Sequence, residues 1–305
     1  LISLYSIKEG KNKMKKLVLI LILCGFSLLA AQDYKLIESK TNREITLQEM
    51  AELALQYDVT FFGELHDNAL LHHLEIGLLQ DMHNLYPDLI VSLEMFERDV
   101  QPEVDAYLAG KMNEDEFILA SRAWNNYHSD YKPIVDFCKN QHLTLLAANI
   151  PRRLAALIAQ GGESVLDSLS TEDRKLAARR YHIYDDEYKT RFFRTIEGNM
   201  TMMPDNPMGK KSMENLYIAQ CLKDDTMAES ILKYQHIPPR KKVLHFNGDF
   251  HSRKHLGTAQ KLQMIEPMLH IAVITPIVSN QNLEYTQEDL PEGDFLIVIK
   301  GNPEE

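Results

Sequence analysis

What most constrains this chain is a repeated pattern: apolar runs of strand length that close on polar residues, with helix-length segments between them. The clearest copy is Val59-Thr60-Phe61-Phe62-Gly63-Glu64-Leu65-His66-Asp67-Asn68, which runs on into His72-His73. An apolar run bounded by Gly reads as a buried strand over 59–63. Asp67 or Asn68 then caps a helix to about residue 86, with His72 and Glu75 three residues apart on it. Further strands are predicted at 89–93, 143–148, 242–246, 269–275 and 295–299. Strands alternating with helices imply an α/β fold with a large, mainly parallel sheet flanked by helices on both faces.

The intervening helices carry their own signals. A helix over 47–56 opens with Thr46 and Glu49 placed as a capping box. Short helices follow over 101–109 and 114–122. Pro133 starts one that runs to 141, and another from Pro151 stops at Gly161-Gly162. From 171 to about 235 no strand is predicted. That segment reads as a smaller all-helical domain inserted in the chain, broken near 203–209 by prolines and a glycine. The expected organisation is upstream residues and an export signal over 1–31, the sheet domain over 32–170 and 236–305, and the helical domain over 171–235.

The start of the chain is expected to lie outside the fold. Met14 is followed by Lys15-Lys16, an apolar run from Leu17 to Leu23, Cys24, and then 25–31. A basic stretch before a short apolar run reads as an export signal, and the run is too short for a comfortable membrane span. Cys24 is the candidate acylated first residue of a lipoprotein, although Leu23 is larger than the usual residue before such a cysteine. Cleavage near Ala30 or Ala31 is the alternative. Either route places the mature protein outside the cytoplasm, and acylation would anchor it to a membrane. The net charge of −11 argues against nucleic acid as a partner. With Cys24, Cys138 and Cys221 as the only cysteines, and no CxxC or CxxCH, a cysteine zinc site and covalent haem attachment are both disfavoured.

Parallel strands bring their polar ends to one rim: Glu64 and His66, Glu94, Asn149, and Asn247 with Asp249 and His251. A pocket rim of Glu64, His66, Glu94, Asp249 and His251 suits general acid–base chemistry or a divalent metal. Nothing fits a serine nucleophile, a Walker loop or a dinucleotide fingerprint. On the helix over 212–234, Tyr217, Gln220, Cys221, Asp224, Met227, Ala228 and Ile231 share a face. Gln220 and Asp224 interrupt an apolar stripe, and buried polar groups need partners, so this face is expected over the crevice.

Taken together, the motifs resemble the ChaN family of iron-regulated haem-binding lipoproteins. The resemblance rests on Phe62 to Asn68 with His72-His73, the segment from Trp124 to Pro133, and Asn149-Ile150-Pro151-Arg152-Arg153. Ala219 to Asp224 with Met227-Ala228, and Gly248 to His251, complete it. It covers nearly all of the chain after the leader. Two features depart from the family: Glu197-Gly198-Asn199 stands where many relatives carry His-Cys-Gly, and the acylation motif is imperfect.

The resemblance implies non-covalent haem b, bound as two cofacial haems at the interface of a homodimer. It implies a tyrosine on each iron, His and Lys contacts to the propionates, and a role in haem and iron uptake beside an outer-membrane haem receptor. A phenolate is a hard anionic oxygen suited to ferric iron. Tyr131 is the preferred ligand, in a Tyr-x-Pro element after a strand-end loop, with Tyr127 one helical turn away. Tyr181, Tyr184 and Tyr188 crowd the helical insertion beside His182 and Lys189. The family's distant relation to erythromycin-esterase-like enzymes keeps a second class in view, a metal-dependent hydrolase built on Glu64, His66, Glu94 and His251. A third is a non-catalytic accessory that binds a receptor or a membrane component.

Overall fold

A computed structural model describes residues 33–201 and 209–301. Its chain order begins with strands β1 (Tyr34–Glu38) and β2 (Arg43–Ile45), helix α1 (Leu47–Ala54) and strand β3 (Val59–Glu64). Helix α2 (Ala69–Leu85), strand β4 (Ile90–Glu97) and helices α3 (Gln101–Leu108), α4 (Glu114–Ser121) and α5 (Lys132–Gln141) follow. Then come strand β5 (Thr144–Asn149) and helices α6 (Arg152–Gly161), α7 (Val165–Ser168), α8 (Thr171–Lys175), α9 (Glu187–Thr201) and α10 (Lys210–Gln235). Strand β6 (Val243–Gly248), helix α11 (Gly257–Ile265) and strands β7 (Ile271–Ser279) and β8 (Phe295–Lys300) end it.

The strands form one sheet in the order β2-β1-β8-β7-β3-β6-β4-β5. From β8 to β5 every neighbouring pair is parallel. The β1–β2 hairpin joins β8 antiparallel, an edge that the sequence reading omits. Every residue of β3 and β6 is buried, as expected for central strands covered on both faces. Successive side chains of β3 serve opposite layers. Phe62 joins Met50 of α1, Leu74 and Leu78 of α2 and Ile134 of α5, while Val59 and Phe61 meet Met227, Ala228 and Ile231 of α10 and Leu262 of α11.

Helix α10 has two further apolar contacts. Ala219 and Leu222 pack with Leu154 and Ile158 of α6, and Tyr217 and Cys221 pack with Tyr188 and Phe192 of α9. Among the described residues between 171 and 235 there are helices and no strand. Strand β4 runs on to Glu97 through a register shift after Leu93, an irregularity of the kind that re-aims side chains at a sheet rim. Strand β5 ends the sheet, and Gln101 covers its open edge. Its amide donates to the Leu145 carbonyl at 2.9 Å and accepts from the Ala147 N–H at 2.8 Å. No helix among the described residues is long and apolar enough to cross a membrane. The expected export signal and Cys24 lie outside the described residues.

Candidate functional site

The carboxyl ends of the parallel strands open onto one rim, the usual place for a ligand in an α/β sheet. Strand β3 delivers Glu64 there, and the chain turns at once because Asn68 caps α2 by accepting from the Leu71 N–H at 3.1 Å. Strand β6 ends at Gly248 and continues as a single tight turn, Asp249–His251. Two glycines permit the approach of these two ends. A Cβ on Gly63 would stand 2.6 Å from Asp249 Oδ1, and one on Gly248 would stand 2.8 Å from the His66 ring. A cavity of about 700 Å³ results, lined by Glu64, His66, Asp249, His251, Arg191 and Arg253 among others. Glu94 does not line this cavity; it is buried and accepts from the Gly248 N–H at 2.8 Å.

His251 organises one buried network. Its Nδ1–H donates to Asp224 Oδ1 at 2.6 Å, and its Nε2 faces Glu94 Oε1 at 3.2 Å. Burial opposes the charge on this ring, but Glu94 and Asp224 outweigh it and push the pKa up to about 10. The ring is therefore an imidazolium at neutral pH. Burial likewise opposes ionisation of Glu94, yet His251, His66 and Lys223 hold its carboxyl well below the usual range. Asp224 is completed by the Tyr188 hydroxyl at 2.7 Å and the Thr258 hydroxyl at 2.8 Å. Asp249 stands apart from this network. It accepts from Thr275 and pairs with Arg253 Nε at 2.6 Å, while burial pushes its carboxyl up against the opposing pull of Arg253.

Glu64 organises the other network. Its Oε1 accepts from the Tyr131 hydroxyl at 2.7 Å and lies 2.5 Å from His66 Nδ1. His66 is half exposed, its ring edge-on to Trp124 at 5.1 Å. Burial lowers its proton affinity, but Glu64 and Glu94 raise it by more. Deeper in, His72 meets Glu75 at 2.8 Å. Burial, and then the charge of Glu64, push the Glu75 carboxyl well up.

The tyrosines named from sequence fall in different surroundings. Tyr131 is 1% exposed with its hydroxyl committed to Glu64, and burial and that carboxylate push its phenol up. It closes a π-helical turn, Tyr127–Tyr131, a local geometry often found at functional sites. Tyr127 is equally buried, its hydroxyl without a partner. Tyr184 is partly buried and stacks on His182 at 6.0 Å between centroids, with Lys261 Nζ 4.1 Å over its ring. The His182 backbone N–H donates to Asp225 at 2.8 Å, and Lys189 pairs with Glu214 at 3.2 Å. Asn149 fixes its own loop, its side chain accepting from the Ile150 N–H at 2.8 Å.

Sequence reasoning placed Asp224 on a face over the crevice without giving it a role; its signal was a carboxylate inside an apolar stripe. Tyr188 entered only as part of a crowd of tyrosines. Thr258 had no signal, because a threonine at the start of a helix is ordinary.

A family model described as haem-binding uptake, Tiki superfamily, ChaN matches residues 50–262. The fold is similar to that of ChaN of Campylobacter jejuni, solved with cofacial haem, with a TM-score of 0.66 at 20% identity over 88% of this chain and 98% of that one. A mutant of the erythromycin esterase EreC in its open conformation aligns with a TM-score of 0.46 at 12% identity, over 75% of this chain and 72% of its own. RRSP, a toxin effector domain from Vibrio vulnificus, aligns at 0.42 and 12% identity, over 85% of this chain and 40% of its own. No curated protein sequence matches the chain significantly.

Proposed function

This chain belongs to the ChaN family of haem-binding uptake proteins, and on that premise we propose that it binds ferric haem for a bacterial haem and iron uptake system. The match of the family model over residues 50–262 carries the reading. We extend it to non-covalent haem b, bound in cofacial pairs between two copies of the chain, with a tyrosinate on each iron. Tyr131 already faces Glu64, a carboxylate able to take up the phenol proton as the iron–oxygen bond forms. Its burial requires the 124–131 segment to open first. Tyr184 is partly exposed, its hydroxyl against Met264, and stacks on the half-exposed His182, a side chain suited to a propionate. The same reading makes the stretch from Met14 to Ala31 an export signal, with Cys24 as a lipid anchor near an outer-membrane receptor.

An absorption titration tests the proposal. Adding haem to the apo protein should produce a saturable, high-spin ferric spectrum with phenolate character. Tyr131→Phe or Tyr184→Phe, whichever removes the ligand, should abolish that character. A titration with no saturable change rejects haem binding; a spectrum unchanged in both variants rejects these two ligands while leaving the family reading in place.

One observation favours a second reading. His66 opens to the cavity while Glu64 orients its other nitrogen at 2.5 Å, the arrangement of a general base held by a carboxylate. Ester cleavage lost in His66→Gln would establish a hydrolase; no turnover in the wild-type protein, with or without divalent metal, would reject it.

A further inference from the structure

Behind the cavity, Glu64, His72 and Glu75 converge with side chains 0%, 4% and 0% exposed. One donor atom from each lies within 4.8 Å of the other two. His72 Nδ1 is 2.8 Å from Glu75 Oε2 and 3.7 Å from Glu64 Oε2. Donor atoms around a tetrahedral ion with bonds of about 2.1 Å sit roughly 3.4 Å apart, a separation that lies between these two distances.

The orientation of His72 sharpens the point. Its Nε2 lies 3.0 Å from the carbonyl oxygen of His66, a group that only accepts. Nε2 therefore carries a proton, with Asp130 Oδ2 also 3.7 Å from it, and Nδ1 is the atom turned toward the two carboxyls. Carbonyl-fixed imidazoles of this kind are the usual second support of a metal ligand. At 2.8 Å, Nδ1 and Glu75 Oε2 must have either a proton or a metal ion between them. Glu64 Oε2 and Glu75 Oε1 also have no hydrogen-bond partner, which is costly for atoms this deeply buried. Among the described residues, neither carboxyl forms an ion pair with Lys or Arg; the nitrogens that face them belong to histidines.

We propose that Glu64, His72 and Glu75 form a buried binding site for a divalent first-row metal ion of the zinc or manganese class. One dication would balance two carboxylates, bond to Nδ1 and take up the orphaned oxygens. Two carboxylate oxygens and one imidazole nitrogen suit that class of ion. His72 and Glu75 stand three residues apart on α2, on one face of the helix, and Glu64 comes from the end of β3. A metal here would tie the first turns of α2 to the sheet rim. The proposal does not rest on haem binding. Its rival is a single proton shared between the two carboxyls.

The test uses the whole haem-free protein, stripped with a chelator and given Zn²⁺, Mn²⁺ or Co²⁺ alone. The expected result is one retained equivalent after gel filtration, a raised melting temperature, and visible ligand-field bands with Co²⁺. Glu75→Gln should lose the retained equivalent, whereas Glu94→Gln, whose carboxyl faces His251 rather than His72, should keep it. Retention in Glu75→Gln with loss in Glu94→Gln would move the ion to the rim and overturn the assignment. No retained metal in the wild-type protein overturns it in favour of the shared proton. Should a variant fail to fold, an anomalous difference map of wild-type crystals soaked in Mn²⁺ decides. A peak in bonding range of His72 Nδ1 sustains the site, and its absence there ends it.

Discussion

At the scale of the residue, His251 is the side chain whose charge the surroundings control most clearly. Its pKa is raised from 6.5 to about 10 because two carboxylates overcome its burial. A group raised in the folded state contributes its full stabilisation below its unfolded pKa, and the contribution is lost as pH rises through the folded value. The wild-type urea midpoint should therefore fall between pH 6.5 and about 10. His251→Gln should be less stable at pH 6.5 and lack this slope; a variant with an unchanged slope would show that another group titrates. Gly248 matters at the same scale because its missing side chain gives the His66 ring room. Gly248→Ala should displace that ring and cost about 1–3 kcal/mol, the usual penalty of overpacking. Denaturant melts and the His66 imidazole resonances read both effects, and an unshifted resonance would refute the contact.

At the scale of the element, α10 and the end of β5 show how polar groups are spent on architecture. The face of α10 that carries Met227, Ala228 and Ile231 onto the sheet also carries Asp224 to His251. Arg98, just beyond β4, fastens the same helix through Glu229 at 2.9 Å and Ser230 at 2.7 Å. An open strand edge invites pairing with another chain, and at β5 the Gln101 amide occupies it. Gln101→Ala should lower stability by about 1–3 kcal/mol, because a buried N–H and carbonyl lose their partner. It should also speed aggregation on heating. Urea melts and light scattering check this, and a variant as stable and as soluble as wild type would show that the edge is protected by other means.

At the scale of the whole molecule, the proposed cofacial pair makes assembly depend on ligand. Haem presents a large apolar face, and stacking two haems between chains removes that surface from water. Sedimentation should show a monomer without haem and a doubling of mass near one haem per chain. A tight dimer in the apo protein would mean that haem is not the link, and monomers at saturation would mean that the haems do not stack.

The order of strands and helices was legible because buried parallel strands need continuous apolar runs, and 59–63, 242–246 and 295–299 supply them with polar punctuation on either side. That Glu64, His66, Asp249 and His251 line one cavity follows from direction alone, since parallel strands end on one side; Glu94 instead bonds to the Gly248 N–H. The hairpin of β1 and β2 was not legible: β2 has three residues, two of them exposed and charged, and only its partner strands make it a strand. Pairings within the rim were equally out of reach. Sequence spacing cannot say that Asp224, on a helix assigned to the insertion, meets His251 at 2.6 Å, or that Glu64 takes Tyr131 across an interval of 67 residues. Local periodicity determines which residues face a core, but charge state and partner depend on which elements meet there. In this protein the packing of α10 and the 124–131 turn onto the rim decided both.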